Sequence, residues 1–351
     1  MRETLILVGW TSILFVATIA VFRTYSDLVY NFGDSHAYTS VASAIGNWNF
    51  KDLQIKQFWG YPYAIAAVSL ISRSSTQNSL LLVSVISSFA SILLAYRLWN
   101  GWVAALFAVL NFDWLQRSFL GGSEPLAVAL IFAAFLAVRR KNYLLAALFA
   151  ALSTIVRPLG IFSLLAIGMV LLYRREYKKL TGAIFIGAGI GALYILPLRL
   201  YFGDSLATVH SYGGAQVSLF GFPFYAIVKG TILYPAPWTN LVLDFGWIGL
   251  VCAGAVAMWL NPEFREHAKQ NPVEVLFAIP FLFAVFCYNY PVFARSNFAR
   301  FAIPVLPMIL VALSRWLPKD RRILWALGCV SPVLAASSAL GIRNVVHRLI
   351  G

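Results

Sequence analysis

Two carboxylates in this sequence sit where chemistry could be done. Asp34 lies in Gly33-Asp34-Ser35-His36-Ala37-Tyr38, and Glu124 lies in Gly121-Gly122-Ser123-Glu124-Pro125. Each opens a stretch that reads as a helix. At Asp34 two roles are open. The side chain can cap the first turn by accepting from its free backbone N–H groups. It can also serve as a general base or metal ligand at a membrane surface. Glu124 has a similar pair of readings. Pro125 suits a first helical turn, and the helix dipole favours an acid at that end. As chemistry, Glu124 is a second carboxylate facing Asp34 across an external cavity. Such a pair could hold a divalent cation, Mg or Mn.

Arginines accompany the acids. Arg157-Pro158 joins two short apolar stretches, and Arg295 and Arg300 flank a turn. A guanidinium fork binds a phosphate in bidentate fashion, which a Lys ammonium cannot do. A membrane Arg can equally snorkel to the headgroups and do nothing more. His210 lies in the aromatic segment 201–238 and is open to a catalytic, phosphate-binding or purely structural reading. The aromatics there, from Tyr212 to Trp238, fit an interface belt and could also line a sugar or lipid groove. His36 neighbours Asp34 and either joins it or faces water. Asp113, Asp204 and Asp244 are further acids at the same ends of the apolar runs.

The elements that must hold these groups are apolar. Of 351 residues, 60% are hydrophobic and 11% charged, and the mean hydropathy is +0.78. A soluble domain carries roughly a quarter charged residues, so the composition excludes a water-facing coat and implies a lipid-facing one. A spanning helix needs about 20 apolar residues. About eleven segments come near that, several of them short: 4–22, 79–96, 102–119, 125–138, 143–156, 158–173, 180–200, 241–260, 273–290, 301–316 and 323–340. No cleavage site follows the first, which reads as a retained helix. The net charge of +14 gathers in clusters such as Arg139-Arg140-Lys141, Arg174-Arg175 with Lys178-Lys179, and Lys319 with Arg321-Arg322. That is the positive-inside pattern of cytoplasmic loops. It lacks the basic domain of a nucleic-acid binder, so no nucleic acid is expected as a partner. Counting outward from these clusters puts Asp34, Glu124, Arg157 and Arg300 on the non-cytoplasmic side. Cys252, Cys287 and Cys329 sit in apolar runs without metal-site spacing and read as small buried hydrophobes.

Two pieces of a long first external loop, 24–78, read as helices that do not cross. Tyr38, Val41, Ala42 and Ile45 form one apolar face, opposite Ser35, Thr39 and Ser43, as suits a helix lying in the interface. The segment 58–72 is apolar but short, and it contains Gly60 and Pro62. It would dip into the outer leaflet or lie on it. A second large external segment covers 201–240. The chain as a whole, 1–351, reads as one all-α transmembrane bundle without internal repeats.

These motifs, in this order, resemble a known group. Gly33-Asp34-Ser35 with Tyr38 and Ala42, then Gly60-Tyr61-Pro62, resembles the first external loop of GT-C membrane glycosyltransferases. Within that group the motifs resemble those of the protein O-mannosyltransferases and lipid A aminoarabinose transferases. Ser123-Glu124-Pro125 is similar to their second acidic loop. Arg157-Pro158-x-Gly160 and Arg300-Phe301-x-x-Pro304-x-x-Pro307 also look like theirs. One departure is plain: the family often has a second acid beside the first, and this chain has Ser35 there.

The resemblance implies an enzyme that moves a sugar from a polyprenyl-phosphate donor to a lipid, glycan or protein acceptor. The expected location is the plasma or inner membrane, with the site facing the periplasm or exterior. Asp34 takes the role of base or acceptor-orienting carboxylate, and Glu124 that of the second acid. Arg300, Arg157 and Arg295, with Tyr38, His36, His210 and Tyr61, are the substrate-binding candidates. A single displacement would invert the anomeric carbon. Two rivals are a transporter or flippase of lipid-linked sugars, which expects sites on broken helices near mid-membrane, and a non-catalytic subunit of a glycan-assembly complex.

Overall fold

The structure is a computed structural model. It describes residues 2–24, 34–50, 57–213 and 220–350, with side chains except at 212–213 and 341–350. Gly33 and the Tyr212 side chain, singled out above, lie outside these. No strand occurs among the described residues, and one isolated bridge joins Phe220 to Tyr288. The protein is an all-α integral membrane protein, as its composition requires.

α1 (Arg2–Arg23) is apolar almost throughout. α2 (Ser35–Gly46) and α3 (Gly60–Ser72) are the two short helices expected in the first loop. Ser35 departs from the expected polar face: it is buried, and its hydroxyl donates to the Leu120 carbonyl at 2.7 Å. It stands three residues before Tyr38, so helical geometry puts it on the apolar side whatever its polarity. α4 (Thr76–Leu98) is a full-length span with a buried seam of Ser84, Ser87, Ser88 and Ser91.

The next spans are broken. The expected helix 102–119 is two pieces, α5 (Gly101–Leu110) and α6 (Phe112–Leu120), with Asn111 between them. α7 (Glu124–Arg139) follows after a bend of 108°. α8 (Tyr143–Val156) packs along α7, and a 3₁₀ turn at Pro158–Gly160 leads into α9 (Ile161–Tyr173). α10 (Tyr177–Phe202) is the longest uninterrupted helix among those with described side chains. α11 (Ala207–Gly213) and α12 (Tyr225–Leu233) are short, and α13 (Trp238–Leu260) spans again. α14 (Pro262–Gln270) meets α15 (Pro272–Phe286) at 112°. Two four-residue helices, α16 (Pro291–Ala294) and α17 (Phe298–Phe301), precede a 3₁₀ turn and α18 (Leu306–Ala312). α19 (Arg321–Ile350) closes the chain against α1, α5 and α6.

Among the described residues five helices are therefore long and apolar enough to cross a membrane, or up to seven if each bent pair is one span. That is fewer than the eleven segments of the sequence reading. Apolar length was right in most places, but Pro, Gly and Asn break it into half-length helices that cannot each cover about 30 Å of hydrocarbon.

Two devices hold the broken pieces together. At the far end of α7, Arg139 meets the buried Glu274 of α15 at 2.5 Å. Glu274 also accepts from Trp99 Nε1 at 2.9 Å and lies 2.8 Å from His267 Nε2 of α14. The loops around 139 and 261–270 thus share one end of the bundle. At the other end, α3 approaches the end of α8 so closely that no Cβ fits between them. A Cβ on Gly60 would stand 2.6 Å from the Ile155 and Val156 backbone. Gly60→Ala is expected to destabilise the protein by about 1–3 kcal/mol through overpacking. Gly246→Ala, in α13 with nothing within 4 Å, should be harmless. Thermal denaturation of both variants checks this; equal melting temperatures would refute the close-packing account.

Candidate active site

The break between α6 and α7 is the centre of the site. Leu120 ends one helix, Gly121 takes φ +97°, and Glu124 begins the next. A side chain at Gly121 would be strained by that φ and would also strike Leu80. The turn therefore aims Glu124 inward at the head of a 16-residue helix rather than letting it reach water.

Three other segments converge on it. Arg157 leaves the end of α8 in extended backbone, and its Nη1 donates to Glu124 Oε1 at 2.5 Å and to Ser123 Oγ at 3.3 Å. Arg300 of α17 donates from Nε to the same Oε1. Its Nη2 lies 3.6 Å from Asp34 Oδ2. One buried carboxylate oxygen is thus shared by two guanidiniums, and the second guanidinium reaches on to a second acid. Glu124 is 2% exposed and Asp34 43%. Asp34 stands at the N-cap of α2 but makes no capping hydrogen bond from its side chain. Its contact is with Arg300.

Uncharged groups fix this geometry. Tyr38 hydroxyl lies 3.2 Å from Ser123 Oγ, and its ring meets the Tyr61 ring edge-on at 5.0 Å. Burial first, then the negative charges of Asp34 and Glu124, raise the Tyr38 phenol above its ordinary range, so it stays neutral. Tyr61 donates to the Leu80 carbonyl at 3.2 Å and lies 2.5 Å from Ser84 Oγ. Asn111 accepts from the Trp114 N–H at 3.2 Å and donates to the Ala299 carbonyl at 2.9 Å. That pair of bonds pins Arg300's short helix to the start of α6. Beside Glu124, Arg157 and Arg300 a cleft is lined by Ala127, Ile131, Phe281 and Pro304. It is apolar apart from those charges.

The structure brings together Asp34, Tyr38, Tyr61, Glu124, Arg157 and Arg300. It places the other three candidates elsewhere. Arg295 is buried against Asp244 of α13, with Nε 3.1 Å from Oδ2, and its Nη2 donates to the Tyr234 carbonyl at 3.2 Å. His210 is exposed, with Nδ1 2.7 Å from Asp204 Oδ2. Asp204 accepts from the Leu206 N–H, and this bond, followed by that to His210, lowers its carboxyl below the usual range. His36 is exposed on α2. Arg300 stands between the two acids considered as a cation seat. Among the described residues no group of three or more His, Cys, Asp or Glu could hold a metal ion.

One member of the site was missed. Arg117 of α6 is 6% exposed and acts electrostatically on Glu124, Arg300, Asp113 and Asp34. Its signal was a cation inside the run 102–119, where hydrocarbon should exclude one.

No protein-family model matches the chain, and no curated protein sequence does. Solved structures do. ArnT from Cupriavidus metallidurans, bound to undecaprenyl phosphate, superimposes with a TM-score of 0.56 at 14% identity. The match covers 94% of this chain and 64% of that one. The apo state of the same protein gives 0.54 at 11% identity, over 90% and 62%. The apo oligosaccharyltransferase of Archaeoglobus fulgidus gives 0.50 at 13%, over 95% and 56%. The chain has the GT-C fold. It spans about three-fifths of the length of these GT-C structures.

The unequal exposure of the two acids has a measurable consequence. Removing one partner of a buried ion pair costs roughly 3–5 kcal/mol, whereas an exposed pair contributes below about 1 kcal/mol. Glu124→Ala is therefore expected to lower the melting temperature of the lipid-free protein far more than Asp34→Ala. Equal losses would show that the arginines are not held by Glu124.

Proposed function

We propose that this protein is a membrane glycosyltransferase that takes a sugar from a polyprenyl-phosphate donor. The observation that carries the reading is the convergence of Arg157 and Arg300 on one buried oxygen beside the more open Asp34. Two guanidiniums facing one small anion form a seat for a phosphate, and an apolar cleft next to them suits the start of a lipid tail. The undecaprenyl phosphate bound by the similar ArnT supports the same ligand class.

In this reading an acceptor hydroxyl attacks the anomeric carbon. The bond from that carbon to the phosphate oxygen breaks, and its electron pair leaves with the phosphate. The donor phosphodiester carries one negative charge and the released monoester tends toward two. Arg157 and Arg300 stabilise the charge that develops. Asp34, open to the outside and 3.6 Å from Arg300, accepts the hydroxyl proton. Glu124 acts by position: before the donor binds, its Oε1 holds both arginines, so it presets them for the phosphate rather than exchanging a proton. The Arg300 guanidinium supplies the positive charge between the two acids. A single displacement inverts the anomeric carbon.

The site belongs, on this proposal, to the non-cytoplasmic face. α7 runs from Glu124 to Arg139, about 24 Å at the helical rise, and Arg139 begins a basic cluster of cytoplasmic type. A second reading is transport of the lipid-linked sugar, which the 108° break at Gly121–Ser123 would also serve. Product formation separates the two.

The test is incubation of purified protein with radiolabelled polyprenyl-phosphate sugars and an acceptor extract. Asp34→Asn should abolish transfer while leaving undecaprenyl phosphate affinity near wild type. Arg300→Ala should weaken that affinity by roughly tenfold or more, from the ~1.5–3 kcal/mol of a lost charged hydrogen bond. Transfer retained in Asp34→Asn removes the base assignment. Product NMR should show the inverted anomer; retention would overturn the single displacement.

A further inference from the structure

The phosphate seat is occupied in the structure by the protein's own carboxylate. Glu124 Oε1 sits between Arg157 and Arg300, where the reading above places a lipid phosphate. The phosphate must displace it. A buried carboxylate stripped of both counter-ions is strongly unfavourable, so its other oxygen matters. Glu124 Oε2 is buried and has no hydrogen-bond partner among the described residues.

What lies beside Oε2 is the stem of Arg117. The point where a Gly122 Cβ would stand is 2.7 Å from Glu124 Oε2, 2.6 Å from Arg117 Cδ and 2.9 Å from Arg117 Cβ. Carboxylate and arginine stem are close neighbours across a glycine, and any side chain there would part them. Arg117 is almost wholly buried and cannot lose its charge in a protein. Its electrostatic partners include Glu124, Asp113 and Asp34 on the acidic side and Arg300 on the basic side.

We propose that Arg117 is the counter-ion that keeps Glu124 neutralised when a lipid phosphate takes Arg157 and Arg300. The proposal rests on the donor-phosphate reading. Arg117 is then a positioning residue: it touches neither sugar nor phosphate, and it makes the exchange of one anion for another affordable in a buried site. The carboxylate turns from Oε1 contacts toward Arg117 as the phosphate arrives, and returns when the product leaves.

A double-mutant cycle on the full chain tests this. The readouts are the Kd for undecaprenyl phosphate in detergent and the melting temperature without ligand. Arg117→Gln should raise Kd about tenfold or more. Arg117→Lys, which keeps the charge, should raise it less. In a Glu124→Gln background the displaced group is neutral, so Arg117→Gln should change Kd by no more than about twofold, the limit for independent sites. The effect on melting temperature has no reason to vanish in that background. If Arg117→Gln does not fold, Arg117→Lys with and without Glu124→Gln gives the same comparison. An equal rise in Kd in both backgrounds, or no rise in either, overturns the proposal. If Arg300→Ala weakens binding while Arg117→Gln does not, only this inference fails. If Arg300→Ala leaves Kd unchanged, the donor-phosphate reading fails and takes this inference with it.

Discussion

The site depends on one carboxylate oxygen shared by two guanidiniums. Glu124 is sealed from water, and neither Arg157 nor Arg300 is widely exposed. In a medium of low dielectric the attraction within such a group is large, and so is the penalty for any member left alone. The arrangement must therefore form whole. It draws on positions far apart in the chain: the start of α2, the α6–α7 turn, the end of α8 and the helix that carries Arg300. Three of these segments are tied together by neutral bonds. Ser35 is bonded to Leu120, Tyr38 to Ser123, and Asn111 to Ala299. The neutral bonds set the geometry, and the charges fill it.

The broken helices follow from the same constraint. A continuous span satisfies every backbone group internally and presents only its side chains. An interrupted one exposes backbone, which is tolerated in a membrane protein where other protein covers it or a cavity takes it up. Here the interruption at Gly121–Ser123 is covered by α2 and α4 on one side and by the arginines on the other. The second bent pair, α14 with α15, is closed by the Arg139–Glu274–His267–Trp99 group at the opposite end. α7 joins the two groups. It carries Glu124 at one end and Arg139 at the other, so the two buried charge clusters are held at a fixed separation by a single helix.

This division explains what could be read from sequence. Composition alone required an apolar helical bundle. The acids and arginines at Asp34, Glu124, Arg157 and Arg300 were legible because hydrocarbon leaves few reasons for a charge at the end of an apolar run. Span number was not legible, since apolar length does not reveal whether a Gly, Asn or Pro turns the chain by 108° or lets it run on. Arg295 and His210 had the right residue types, but their partners Asp244 and Asp204 are set by tertiary packing and a local turn. Ser35 was assigned by polarity when its helical position placed it on the buried face. Arg117 hid within a stretch that looked like one span and is two helices.

In the proposed reaction, exposure rather than residue type separates the roles of the two acids. Asp34 and Glu124 touch the same arginine, so their electrostatic surroundings overlap. Asp34 is open on one side, and in the proposed reaction that is where an incoming hydroxyl would reach it and a proton would leave. Glu124 is closed and already holds both arginines. A base must meet its substrate within hydrogen-bond reach, and only the open carboxylate can. A carboxylate that orients two cations gains from being closed, because water would weaken each contact it makes. The glycines of the α6–α7 turn create that difference: they let the chain fold tightly enough to bury Glu124 beside the Arg117 stem, while Asp34, at the head of a short surface helix, stays within reach of the outside.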